Sequence, residues 1–318
     1  MLCRTANELY WMARHIERAE NTARLLDVTY RMSLLPYEAI APGLAWAEPW
    51  AVPLITSGLA KAFYGRFREL SAENVLHFMI LDASNSSSIY CCLRSARESA
   101  RSVRGAITSE MYEDLNSAWL EMRGYDYDRI RAKGVSEFLD WVKMRSHLFR
   151  GVTFGTMLRD EAYHFNRLGT HIERADNTAR ILDVKYHTLL PSAAEVGGAV
   201  DYYQWSALLR SVSGFESYRK IYSDVITPRR VAELLILRRD MPRSLHSCMN
   251  FIHQTLEVLC DDSSREIERA SGELYARLHY GKTDDIIKFG LHEYLMEFLD
   301  RISALGVEIN RYFLVPTY

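Results

Sequence analysis

Thiol chemistry is scarce in this sequence. The five cysteines, Cys3, Cys91, Cys92, Cys248 and Cys260, offer no C-x-x-C pair, no zinc-ligand spacing and no even-numbered disulfide framework. Reduced thiols in a reducing compartment are the simplest reading. Long hydrophobic runs are missing too: the charge-light stretch from Pro49 to Ala60 is too short and too rich in Pro and Gly to span a bilayer. The N-terminus, MLCRTANELYWMARHIERAE, mixes charges into its first turns where a signal peptide needs an apolar core. A soluble, cytoplasmic protein with no membrane segment is expected. Neither sign of charge is in excess, with 39 Lys and Arg interspersed among 41 Asp and Glu. Generic nucleic-acid binding, which needs a basic stripe able to displace phosphate counterions, is therefore disfavoured, though a local anion site is not.

Catalytic templates are absent as well. There is no H-E-x-x-H, no G-x-S-x-G, no phosphate-cradling G-x-x-x-x-G-K-[ST] and no strand leading into G-x-G-x-x-G. His77, His147, His246, His253, His279 and His292 are scattered, and nothing nominates a nucleophile, so a non-catalytic role with no cofactor is expected.

What the chain does have is an internal repeat. Met1 to Val28 reads MLCRTANELYWMARHIERAENTARLLDV and Met157 to Val184 reads MLRDEAYHFNRLGTHIERADNTARILDV, aligned without a gap. Between His15 and Val28 only Glu20 against Asp176 and Leu25 against Ile181 differ. The likeness then fades, but SLLP ending at Pro36 matches TLLP ending at Pro191. Because Met1 aligns with Met157, the first unit is expected to begin at the first residue, with no missing extension.

Helical periodicity dominates and strand-like alternation is nearly absent. The expected fold is all-α: two tandem related helical-bundle units, 1–155 and 156–318, packed as a pseudo-twofold duplicated structure. Helices are expected near 2–33, 57–70, 72–81, 88–105, 109–123, 135–155, 158–189, 201–222, 228–239, 243–260, 263–279 and 285–314. Pro36–Thr56 and Pro191–Gly198 read as irregular, the first as a packed loop or docking surface carrying Trp46 and Trp50.

On the repeated helix, Leu9, Met12, Ile16, Ala19, Ala23 and Leu26 fall on one stripe at about 100° per residue, an ordinary core face. The polar positions ask for more explanation. His15, Glu17, Arg18, Asn21, Thr22, Arg24 and Asp27 recur unchanged as His171, Glu173, Arg174, Asn177, Thr178, Arg180 and Asp183. A merely solvated face would have tolerated exchanges such as Lys for Arg. Two readings stand. One is a buried polar network that fixes helix register, with i,i+4 pairs such as Glu20 with Arg24. The other is a pocket in which Arg forks and Glu hold a small anionic or zwitterionic ligand between two related half-sites.

Arg94, Arg97, Arg101 and Arg104 form a basic stripe on a further helix. It is either a solvated face or, if it packs against Glu17 or Asp27, part of the polar core. A dimetal site is weakly indicated, because only Glu161 and His164 have Glu-x-x-His spacing and their repeat counterparts are Thr5 and Glu8. His15 and Glu17, two residues apart on a helix, point to opposite sides. No metal site is expected.

HIERAENTARLLDV, its copy HIERADNTARILDV and the opening LYWMARHIER closely resemble the alpha-E domain family, helical bacterial proteins with a Glu-Arg motif. The likeness extends through RESARSVR from Arg97 and SEMYEDLN from Ser109. The resemblance implies that Glu17–Arg18 and Glu173–Arg174 are the signature pairs. It also implies association with a circularly permuted ATP-grasp protein and with transglutaminase-like proteases, in a system that makes or breaks amide bonds. This chain, lacking both catalytic domains, would be the accessory subunit. A competing reading is a helical enzyme or a metal- or phosphate-binding regulator, from a faint likeness to the E-R-x-x-D helix of phosphate-uptake regulators.

Overall fold

The computed structural model describes residues 1–34, 49–188 and 199–315, and among these every regular element is helical. Trp46 and Pro191–Gly198 lie outside the described residues, as does most of the expected loop before Thr56. None of the described helices is long and apolar enough to cross a membrane.

Two long helices form the axis of the fold. The first, α1 (Cys3–Ser33), has 31 residues and is about 46 Å long at 1.5 Å per residue. Its expected apolar stripe, Leu9, Met12, Ile16, Ala19, Ala23 and Leu26, is buried throughout. Each large side chain there contributes on the order of 1.5–3 kcal/mol by leaving water.

Short helices follow: α2 (Ala51–Thr56), α3 (Ala60–Tyr64) and α4 (Ala72–Ile80). The four that complete the first half are α5 (Ile89–Ser102), α6 (Ser109–Met122), α7 (Tyr127–Lys133) and α8 (Val135–Thr156). The second long helix is α9 (Glu161–Thr188), followed by α10 (Ala199–Ser211), α11 (Phe215–Tyr222) and α12 (Pro228–Ala232). The last is prolonged by a π-helical turn, Glu233–Leu237. The chain closes with α13 (Leu245–Leu259), α14 (Arg265–His279), α15 (Thr283–Phe289) and α16 (Leu291–Ile309), which runs into a second π turn, Asn310–Leu314.

Starts of α4, α5, α6, α7 and α8 at 72, 89, 109, 127 and 135 recur at 228, 245, 265, 283 and 291 in α12 to α16, each 156 residues later. The caps recur with them. Ser88 Oγ accepts from Cys91 N, and Ser244 Oγ accepts from Ser247 N. Gly134 and Gly290, just before α8 and α16, have φ of +107° and +106°, a backbone that only glycine adopts cheaply.

α1 and α9 pack against each other. α5 and α8 flank α1, while α13 and α16 flank α9. Contacts also cross over, since α10 packs on α1 and α2 packs on α9. The long helices approach tightly at Gly169: a Cβ there would lie 2.2 Å from the Tyr10 carbonyl oxygen and 3.3 Å from Ala13 Cβ. Gly169 is therefore a packing residue.

Several expected helices are divided. The helix expected over 57–70 shortens to α3, which follows a turn through Gly58, while α2 forms within the stretch to Thr56 expected to be irregular; the one over 201–222 breaks at Ser213 and Gly214; and the one over 285–314 breaks at Gly290. In 228–239 the helical hydrogen bonding loosens into the π turn. α7 was not expected, because seven residues show too little periodicity. Trp50, expected in a packed loop or a docking surface, is 4% exposed and belongs to the core, which agrees with packing and not with docking.

Candidate functional site

The α1–α9 contact brings the two Glu-Arg pairs together reciprocally. Arg174 donates from Nε to Glu17 Oε1 at 3.0 Å and from Nη2 to Glu17 Oε2 at 2.9 Å. Arg18 donates from Nε to Glu173 Oε1 at 2.5 Å and from Nη2 to Glu173 Oε2 at 2.9 Å. Each carboxylate thus receives a two-pronged fork from the opposite helix, the strongest geometry available to this pair. Both acids are buried, Glu17 at 1% and Glu173 at 6% exposure. Under the forks lie Cys92 and Cys248, whose thiols burial pushes up to about 12.

Around Glu17 the polar network is filled. Arg243, from the turn before α13, donates from Nη1 to Glu17 Oε1 and Asn21 Oδ1, both at 2.9 Å, and from Nη2 to Glu20 Oε1 at 2.6 Å. Arg150 of α8 reaches Glu17 Oε2 at 2.9 Å and Glu20 Oε2 at 2.5 Å. Arg24 Nε donates to Glu20 Oε1 and Ser146 Oγ to Glu20 Oε2, each at 2.7 Å. Burial drives the Glu17 carboxyl up, but Arg174, Arg243 and Arg150 together outweigh it and hold it down to about 2. Glu20 is likewise held well below the usual range, burial being overcome by Arg243, Arg150 and Arg24. Arg243, fully enclosed, has its own pKa lowered by burial.

Around Glu173 the arrangement is open. Arg14 Nε donates to Glu173 Oε2 at 2.8 Å, and Arg180 forks onto Asp176 at 2.8 and 3.0 Å. Beside these groups lies a cavity of about 520 Å³, walled by Arg14, Arg18, Glu173, Asp176, Asn177 and Arg180. Ser87, Trp11 and Thr22 line it, as do Ser303 and Gly306 of α16 and Asn310 at the π turn. Burial raises the Glu173 carboxyl, but Arg18 and Arg14 prevail and hold it below its ordinary value.

Of the remaining sequence candidates, Asn21 reaches the cavity and the others sit apart from it. His15 packs on Trp11 with ring centroids 5.7 Å apart, and burial, helped by Arg18, lowers its pKa to about 4. His171 stacks on Phe251 at 4.5 Å, and burial together with Arg174 and Arg167 lowers its pKa well below the ordinary histidine value. Asp27 accepts from Arg31 and Lys143, and Asp183 pairs with His292 at 2.6 Å. Thr178 Oγ1 donates to the Arg243 carbonyl at 2.9 Å. Asn21 lines the cavity wall while its Oδ1 serves Arg243, and its Nδ2 is buried with no partner.

The arginine stripe does not complete the polar core. Arg97 donates to Asn116 and Glu98, and Arg101 pairs with Glu98, all among the first-half helices α5 and α6. Glu161 pairs instead with the Met1 ammonium at 2.6 Å, away from any metal-like group. Among the described residues no group of three His, Cys, Asp or Glu is placed to hold a metal ion. Sequence reasoning missed Arg14, Arg150 and Arg243 as site residues. Their counterparts 156 positions away are Thr170, Gly306 and Ser87, so comparing the repeats could not find them.

Chemically, the ionised carboxylates are capped by guanidiniums and the enclosed thiols are protonated, an arrangement suited to holding charge rather than transferring protons. Fold and site define an all-helical protein whose two long helices are locked by reciprocal buried Glu-Arg forks. The chain belongs to the Alpha-E family: the family model, a predicted alpha-helical domain with a conserved ER motif, matches residues 1–314. Glu17–Arg18 and Glu173–Arg174 are both Glu-Arg dipeptides.

The chain is 24% identical over 325 residues to an uncharacterized protein of Mycobacterium bovis and to uncharacterized proteins of two Mycobacterium tuberculosis strains, covering 95% of this chain. It spans 35% of the length of those relatives. No solved structure matches.

Proposed function

We propose that residues 1–155 and 156–318 are two copies of one helical unit, related by a pseudo-twofold axis between α1 and α9, and that the chain is a non-catalytic binding subunit. The constant 156-residue spacing of helix starts and the reciprocal forks support the duplication. The cavity beside Glu173 carries the binding reading: it is roomy, polar, and flanked by charged side chains already oriented by ion pairs. The metal-regulator reading is weaker, because a metal ion needs carboxylate oxygens as direct ligands and those at the cavity are held by guanidinium forks, and among the described residues no group of three His, Cys, Asp or Glu is placed to hold one.

The proposed setting is an amide-bond-forming system in which this subunit serves a circularly permuted ATP-grasp protein, with a transglutaminase-like protease as a further partner. That setting rests on the family resemblance. Purified full chain mixed with the ATP-grasp protein from the same organism is expected to co-sediment with it or to change its ATP turnover. Observation of neither effect would sink the proposal.

A further inference from the structure

The filled and open clusters differ by one seat. At Glu17 and Glu20, four guanidiniums surround two carboxylates: Arg174, Arg24, Arg150 and Arg243. At Glu173 and Asp176 there are three: Arg18, Arg180 and Arg14. Arg14 Nε contacts Glu173 Oε2 much as Arg150 contacts Glu17 Oε2, so it stands in for Arg150. The position matching Arg243 is Ser87, directly before the N-cap Ser88 as Arg243 is directly before the N-cap Ser244. Ser87 lines the cavity. Gly306, matching Arg150, lines it as well and leaves further room.

The acceptors that Arg243 uses are Glu17 Oε1, Asn21 Oδ1 and Glu20 Oε1. Their counterparts, Glu173, Asn177 and Asp176, all line the cavity. Among the described residues Glu173 Oε1 accepts only from Arg18, and no donor reaches Asn177 Oδ1.

Resting on the binding reading above, we propose that the cavity takes a guanidinium-bearing ligand, an arginine free or within a peptide, seated on Glu173, Asp176 and Asn177 where a fourth guanidinium is missing. A planar fork suits three acceptors spread over about one turn of α9, whereas an ammonium is a compact point charge. Guanidinium is also weakly hydrated and tolerates neighbouring arginines, as the four crowded into the filled cluster demonstrate. One more cation brings the open cluster to the same ratio of guanidinium to carboxylate.

Isothermal titration of the full chain with methylguanidinium, L-arginine, an N-acetyl-arginine amide, L-lysine, L-glutamate and inorganic phosphate tests the assignment. Saturable binding of the guanidinium compounds is expected, with lysine weaker by more than about tenfold. A preference between free arginine and the capped amide distinguishes the two sources. Ser87→Arg, which supplies the missing fork in cis, is expected to fold and to abolish binding.

A second measurement avoids dependence on the native ligand. Arg243→Ser opens the corresponding seat at Glu17, and low-millimolar methylguanidinium is expected to raise the thermal midpoint of that variant more than it does for Ser87→Arg. No saturable guanidinium binding, preferential binding of phosphate or glutamate, or unchanged binding in folded Ser87→Arg would each overturn the proposal. Association with the ATP-grasp protein is read separately, so either reading can fail alone.

Discussion

Glu17 receives both prongs of Arg174 at 3.0 and 2.9 Å, across the contact between the two long helices. The same pair of residue types, exchanged between helices, holds Glu173 to Arg18. An adjacent Glu and Arg point about 100° apart on a helix. Neither can serve the other well, and each is free to reach across to the opposite helix. That explains why the two residues recur together.

Removing one acid should cost more on the filled side. Glu17→Ala leaves Arg174, Arg243 and Arg150 facing one another with only Glu20 to balance them. Loss of one partner of a buried pair costs about 3–5 kcal/mol, and Glu17→Ala should lie at the upper end. Glu173→Ala should be milder, since Arg14 and Arg18 border the cavity and gain water. Urea midpoints of the two variants check this, and equal losses would show that the cavity gives no relief.

The glycines of the long helices and their neighbours separate packing from propensity. Gly169→Ala places a methyl 2.2 Å from the Tyr10 carbonyl oxygen, so α1 and α9 must part, at about 3 kcal/mol or more. Gly151→Ala in α8 meets nothing within 4 Å and should stabilise by about 0.4–1 kcal/mol. Opposite signs in thermal unfolding are the expected outcome.

The acid range should expose the polar core. Glu17 is held down to about 2 in the folded protein, against about 4.3 when unfolded. Its contribution is therefore fully present above the unfolded value and is lost as pH falls through about 2, since the unfolded chain binds the proton first. The difference in stability between wild type and Glu17→Gln should shrink by about 3 kcal/mol from pH 5 to pH 2. A pH-independent difference would mean that the carboxylate is not ionised in the fold.

Much of this was legible because it is local. The gapless repeat announced α1 and α9, and the apolar stripe announced the buried face of α1. The polar face was legible as a set of residues held to their identities, but not as two unequal clusters. Arg150 and Arg243 decide which half is filled, and each lies on an element distant in sequence with a non-arginine counterpart. Arg97 and Arg101 drew notice through their spacing alone, yet their charges are satisfied by Glu98 and Asn116 on neighbouring turns and helices. The helix break at Gly290 was missed because the hydrophobic period runs on across it.

Asp114 reverses the sign seen at Glu17. Both of its carboxylate oxygens are buried without a hydrogen bond, and the nearest cation, Arg145 Nη1, is 3.7 Å away. Burial therefore pushes its pKa up to about 6 despite Arg145. A group whose folded value is raised contributes stability below its unfolded value and loses it as pH rises through the folded one. At pH 7.5 the charged form is consequently a burden, and Asp114→Asn should stabilise the protein by about 1–2 kcal/mol, less than the full shift because the amide also lacks partners. Near pH 4 the acid is already protonated in the fold, so the gain should vanish. Chemical denaturation of both proteins at the two pH values tests this, and a stabilisation that persists at low pH would place its origin in packing rather than charge.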